Sequence, residues 1–144
     1  TGSTAGGAAP GTTLPVVREV LAHMADPPGA PGRTLSLVRY TIAPGAKLSP
    51  HIHPGVQMAS IRSGTLTYTI ESGTAIVTRA GASEPERLDG PVTTELRAGD
   101  AVQEISDMVH FGANDTDEPV LIDAALLTET GVDLAVTVGT VPPG

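Results

Sequence analysis

Apolar and polar positions alternate along most of this chain in short runs, and that two-residue period predicts strands. Thr34 to Ile42 is one such run, with Val38, Tyr40 and Ile42 on one face. Thr65 to Ile70 is another, where Leu66, Tyr68 and Ile70 alternate with threonines. Val16 to Leu21, Val56 to Arg62, Thr74 to Ala80, Ala101 to Ile105, His110 to Ala113, Val120 to Leu127 and Leu134 to Val138 complete the set. Ser63-Gly64 and Glu71-Ser72-Gly73 read as tight turns between neighbouring strands. Pro27-Pro28-Gly29, Pro31-Gly32, Pro44-Gly45, Gly90-Pro91 and Pro119 punctuate the rest. Gly81 to Pro91 is polar and aperiodic, which predicts a surface loop. No long segment carries a helical period and no repeat is evident. The pattern is that of an all-β sandwich or barrel.

A chain of 144 residues is enough for one domain with its own core. Phe111, Tyr40 and Tyr68 are its only aromatic residues, so the core is aliphatic. The formal net charge is −8 and Lys47 is the sole lysine, which argues against nucleic acid and anionic membrane surfaces as partners. With no cysteine, disulfides, thiolate ligands and cysteine nucleophiles are excluded. The longest apolar stretch, Val120 to Leu127, is interrupted by Asp123 and predicts no membrane span. The expected boundaries are a flexible tail at 1–13, one domain at 14–138 and a C-terminal tail at 139–144. The first tail, TGSTAGGAAPGTT, has the composition of a tether. A disordered end is its plain reading. The sharper one is the linker behind a removed export signal or lipid anchor, giving an exported or surface-tethered protein.

His51-Ile52-His53 is the chemical centre of the sequence. Histidines at i and i+2 of an extended segment point to one side, and Gln57 keeps that parity. With His110 from further along, three imidazoles can converge beside an amide. His23 lacks such company and is expected at the surface or in the core.

Two glycine-anchored segments carry a family resemblance. Gly45-AKLSP-His51-Ile52-His53-PGV-Gln57-MASIRS-Gly64 resembles the first cupin motif, G-x5-H-x-H-x3-E-x6-G. Every spacing matches, and the departure is Gln57 in place of Glu. Gly99-DAVQEISDMV-His110-FGA-Asn114 resembles the second motif, G-x5-P-x-G-x2-H-x3-N, with Ile105 and Asp107 replacing Pro and Gly. The resemblance implies a single-domain, all-β, cupin-type jelly-roll barrel with the metal at its wide end. Gly64 permits the hairpin turn, and Gly99-Asp100 is read as the turn opening the strand that delivers His110. One divalent transition metal is expected on His51, His53 and His110, with Gln57 as a fourth ligand or as a hydrogen-bond partner of a metal-bound species.

Replacing carboxylate by amide leaves a dication uncompensated, so Cu is favoured, then Zn, Ni or Fe, with Mn disfavoured. Gln57 and Glu104 are the candidate catalytic residues. Glu104 lies one step before Ile105 and would take protons if it faced the metal. Outward is the more ordinary placement for a strand glutamate, and then Gln103 would face in. Asp107 reads as a turn residue, and Tyr40 and Tyr68 as core.

No nucleophile triad, phosphate-binding loop or dinucleotide fingerprint is present. The resemblance then implies a metal-dependent oxidoreductase of dioxygenase or oxidase type, using O2 on a small organic substrate. Ile42, Ala59, Ile61 and Phe111 are expected to line its pocket. Alternatives are a non-catalytic module binding a metal or small ligand, and a redox-neutral isomerase or lyase. By analogy, a homodimer is the default assembly.

Overall fold

A computed structural model describes residues 15–138, so both expected tails, 1–13 and 139–144, lie outside the described residues. Twelve strands and no helix occur among the described residues: β1 Val16–Ala25, β2 Arg33–Ile42, β3 His51–Ile52, β4 Gly55–Ser63, β5 Thr65–Ser72, β6 Thr74–Thr78, β7 Glu86–Asp89, β8 Val92–Arg97, β9 Ala101–Glu104, β10 Val109–Ala113, β11 Val120–Glu129 and β12 Val136–Thr137. No helix long and apolar enough to cross a membrane occurs among the described residues. They form a seven-stranded sheet in the order β1-β2-β11-β4-β9-β6-β7 and a five-stranded sheet in the order β12-β3-β10-β5-β8. Every pairing is antiparallel. This is an all-β jelly roll, as expected.

The period-two pattern explains the core. On β4, Gln57, Ala59 and Ile61 are buried while Val56, Met58 and Arg62 are exposed. On β11, Val120, Ile122, Ala124, Leu126 and Thr128 turn inward. These meet Leu66, Tyr68 and Ile70 of β5 in one cluster, so two half-buried sheets cover each other. At the β4–β5 hairpin, Gly64 has φ 85° and a Cβ there would stand 2.5 Å from the Pro119 carbonyl oxygen. Only glycine fits both demands.

Three elements depart from the alternation pattern. The segment expected to be a loop contains β7, an edge strand paired only to β6. β8 follows it, and its sequence VTTELR buries only Leu96. β1 continues past Leu21 to Ala25, with a register shift between Val20 and Ala22. In each case the strand lacks the one-sided apolar face that marks strands in a sequence, and main-chain pairing holds it. His23, on this extension, is exposed.

Candidate metal centre

β10 runs antiparallel to β3 with His110 opposite His51. That register sets their rings 4.4 Å apart, centroid to centroid. His53 follows β3 and completes the group, and one ring nitrogen from each histidine lies within 4.8 Å of the others. His53 and His110 are almost fully buried, and His51 is partly exposed.

The orientation of each ring is fixed by the backbone. Nδ1 of His51 lies 2.9 Å from the Ser49 carbonyl oxygen, Nδ1 of His53 2.8 Å from that of Leu134, and Nδ1 of His110 3.0 Å from that of Met108. A carbonyl oxygen only accepts, so each Nδ1 carries the proton and donates it. In the neutral ring, each Nε2 is then the atom that presents a lone pair. The Nε2 atoms of His53 and His110 are 3.2 Å apart. Two lone pairs at that distance repel unless a proton or a cation lies between them.

The negative charge comes from Glu104. It is 3% exposed, and its Oε1 lies 3.1 Å from both His53 Nε2 and His110 Nε2. The expectation that this strand glutamate faces outward is overturned. Val102 points into the barrel, Glu104 shares its parity, and the outward side chains are Gln103 and Ile105. Ile105 is exposed because the strand ends at Glu104 and the chain turns there. The Gly99-Asp100 turn accordingly opens β9, which delivers Glu104; His110 arrives on β10 after a further turn that contains Asp107.

A closed hydrogen-bond network surrounds the carboxylate. Gln57 Nε2 donates to Glu104 Oε1 at 2.6 Å, and Tyr68 donates to Oε2 at 2.7 Å. Gln57 Oε1 in turn accepts from the Tyr40 hydroxyl at 3.1 Å. The amide thus spends both ends on neighbours, and the tyrosines expected to be mere core belong to the site. Asn114 is equally committed elsewhere: its side-chain nitrogen donates to the carbonyls of Ile42 and Glu118, closing the loop before β11.

Burial and charge set the protonation states. Burial pushes the Tyr40 hydroxyl up to about 12, and Tyr68 is raised by burial together with the Glu104 charge, so both stay protonated donors. Burial, with the positive charge of His110 beside it, lowers His51 to about 4. Burial opposes ionisation of Glu104, yet hydrogen bonds and charge from His110 and His53 hold it well below the usual carboxylate range. His110 is raised, because Glu104 outweighs the effect of its burial.

The site opens into a cavity of about 540 Å³ that Ile42, Ala59 and Ile61 line as expected. Phe111 does not. It follows the inward His110 by one residue and packs under the Lys47 ammonium, 4.9 Å from the ring centroid. A second depression, of about 530 Å³ around Arg79 and Asp100, holds none of the site's histidines.

The family model described as the cupin domain matches residues 38–127, a stretch that holds all three histidines and Glu104. The chain belongs to the cupin family. Among solved structures, the cupin domain of a transcriptional regulator from Enterobacter cloacae is similar, at 16% identity over 80% of this chain and 97% of that one, with a TM-score of 0.53. Bacillus subtilis oxalate decarboxylase, whose centres hold Mn(II), is similar at 21% identity over 72% of this cupin, with a TM-score of 0.50. This cupin spans 23% of the oxalate decarboxylase chain. No curated protein matches it in sequence.

Proposed function

We propose that this cupin is a mononuclear metal enzyme, an oxidoreductase that acts on a small organic molecule with O2 as co-substrate. His51, His53, His110 and Glu104 would hold the ion. One observation carries the reading: three imidazoles locked through Nδ1 bring one ring nitrogen each within 4.8 Å of one another, and a buried carboxylate oxygen lies 3.1 Å from the Nε2 atoms of two of them, His53 and His110. Donor separations of 3.1–3.2 Å suit two ligands about 2.1 Å from one ion, meeting at roughly a right angle.

Glu104 also changes the choice of metal. The preference for copper rested on an all-neutral donor set. Three imidazoles and one carboxylate form a set of charge −1, which suits Fe(II) or Mn(II). Bound there, such an ion supplies Lewis acidity and one-electron chemistry. The chain's own residues do the rest. Gln57 and Tyr68 hold the two carboxylate oxygens, the aliphatic wall offers an apolar surface to the substrate, and Tyr40 fixes the Gln57 amide. The reading as a passive binding module drew on a missing fourth donor, and Glu104 fills that place.

Elemental analysis of protein purified without added metal, followed by titration with Mn(II), Fe(II), Zn(II) and Cu(II), tests the centre. Glu104→Gln should weaken Mn(II) and Fe(II) at least about tenfold and Cu(II) least. Equal affinities in the variant and the parent protein would remove Glu104 from the donor set. Oxygen uptake with small enols, phenols and organic acids tests the reaction. Tight metal binding without turnover returns the binding module, and anaerobic turnover favours an isomerase or lyase.

A further inference from the structure

The metal cavity carries one permanent cation. Arg18 lines it from β1, on the same side of that strand as Val16, which also lines it. The β1–β2 register sets Arg18 opposite Tyr40, whose hydroxyl leads through Gln57 to Glu104. Arg18 is exposed whereas Glu104, His53 and His110 are buried, so it stands at the rim and they at the floor. Arg39, Arg62, Arg79, Arg87 and Arg97 each pair with a carboxylate. Among the described residues Arg18 and Arg33 have no such pairing, and Arg33 does not line the cavity. Between rim and floor the wall is aliphatic, with Ile42, Leu48, Leu66, Leu96 and Ile122.

We infer that the ligand of this cavity is an organic anion with an apolar body, its carboxylate held at the rim by Arg18. Rim and wall each select a feature. A guanidinium offers paired donors that match a carboxylate, and a charge-assisted pair exceeds a neutral one. In a protein of net charge −8, a free arginine at a cavity mouth locally reverses a field that repels anions. The aliphatic wall favours a chain or ring over a compact polar ion. This identification of the substrate class rests on the metal reading for the reaction, but binding at Arg18 does not require the ion.

Calorimetric titration of the full chain, metal-free and metal-loaded, with butyrate, hexanoate, butyramide and hexanamide tests the inference. Hexanoate should bind metal-free protein about tenfold tighter than hexanamide, a preference that Arg18→Gln abolishes and Arg18→Lys partly keeps. Each added methylene should tighten binding about three- to fourfold. An equal preference in Arg18→Gln, or hexanoate no tighter than butyrate, overturns the inference. Elemental analysis of the same samples separates the two readings. A chain that takes up no metal overturns the metal centre and leaves the metal-free titrations to decide on Arg18. A loaded chain whose carboxylate preference ignores Arg18→Gln overturns only the anion site.

Discussion

His51 and His110 share one environment but not one protonation behaviour. His51 is lowered to about 4 and His110 is raised, so the metal-free protein should titrate in separated steps. As pH falls, the unfolded chain protonates His51's imidazole first, near 6.5, and the folded protein resists until about 4. Folding stability should therefore drop across that window by up to about 3 kcal/mol on this residue's account. His110 works in the opposite sense: its contribution is full below 6.5 and is lost as pH rises through its raised value. Glu104 contributes above its ordinary range and loses that as pH falls toward its depressed value. Imidazole NMR checks the order, with His110 protonating above 6.5 and His51 near 4; coincident titration would remove the account. Since His110 must shed its proton to offer Nε2, metal affinity should weaken as pH falls through the His110 value. His51 and His53 were legible in the sequence because H-x-H spacing survives any change of loop, and His110 because the second motif sets it at a fixed distance from Gly99 and Asn114. The roles of Tyr40 and Tyr68 were not, since a tyrosine on an apolar strand face reads as core until a buried acceptor is found for its hydroxyl.

Glu104 was misplaced for a reason that belongs to the strand. A strand glutamate is ordinarily placed outward, but parity with the inward Val102 turns this one into the barrel. The β4–β9 register then pairs Gln57 with Glu104 directly. A carboxylate thus stands beside the first motif's amide, on the neighbouring strand. Long alternating strands such as β2 and β11 were readable from their inward apolar residues. β7 and β8 were not, because one is an edge and the other presents mostly threonine and charge. The register yields a sharp prediction. Gln57→Glu alone sets two carboxylates at a separation now bridged by a 2.6 Å hydrogen bond, so one must take a proton or move. Its metal-free form should melt lower at pH 7 than the parent. Combining it with Glu104→Gln restores one acid and one amide, and the exchanged pair should recover most of the lost stability. A coupling of at least about 1 kcal/mol in the thermal-unfolding cycle is expected. Strict additivity of the two changes would mean that the side chains do not meet.

At the scale of the whole barrel, the centre joins segments that are far apart in sequence, so an ion bound there would link its binding to folding. At a thousandfold excess over its dissociation constant, a metal that binds only the folded chain adds about 4 kcal/mol. Stripping the protein with a chelator should lower its melting temperature by several degrees, and restoring the ion should reverse this; identical melting curves would count against a buried ion. The linkage has a weak point at the end of the described chain. The Leu134 carbonyl that orients His53 comes from 81 residues further on, just before the two-residue β12. So short a pairing opens more readily than the long strands beside it. Once it opens, His53 is free to shift its proton to Nε2 and withdraw a donor while the other strands stay paired. Gentle warming should then release the ion before the barrel itself comes apart.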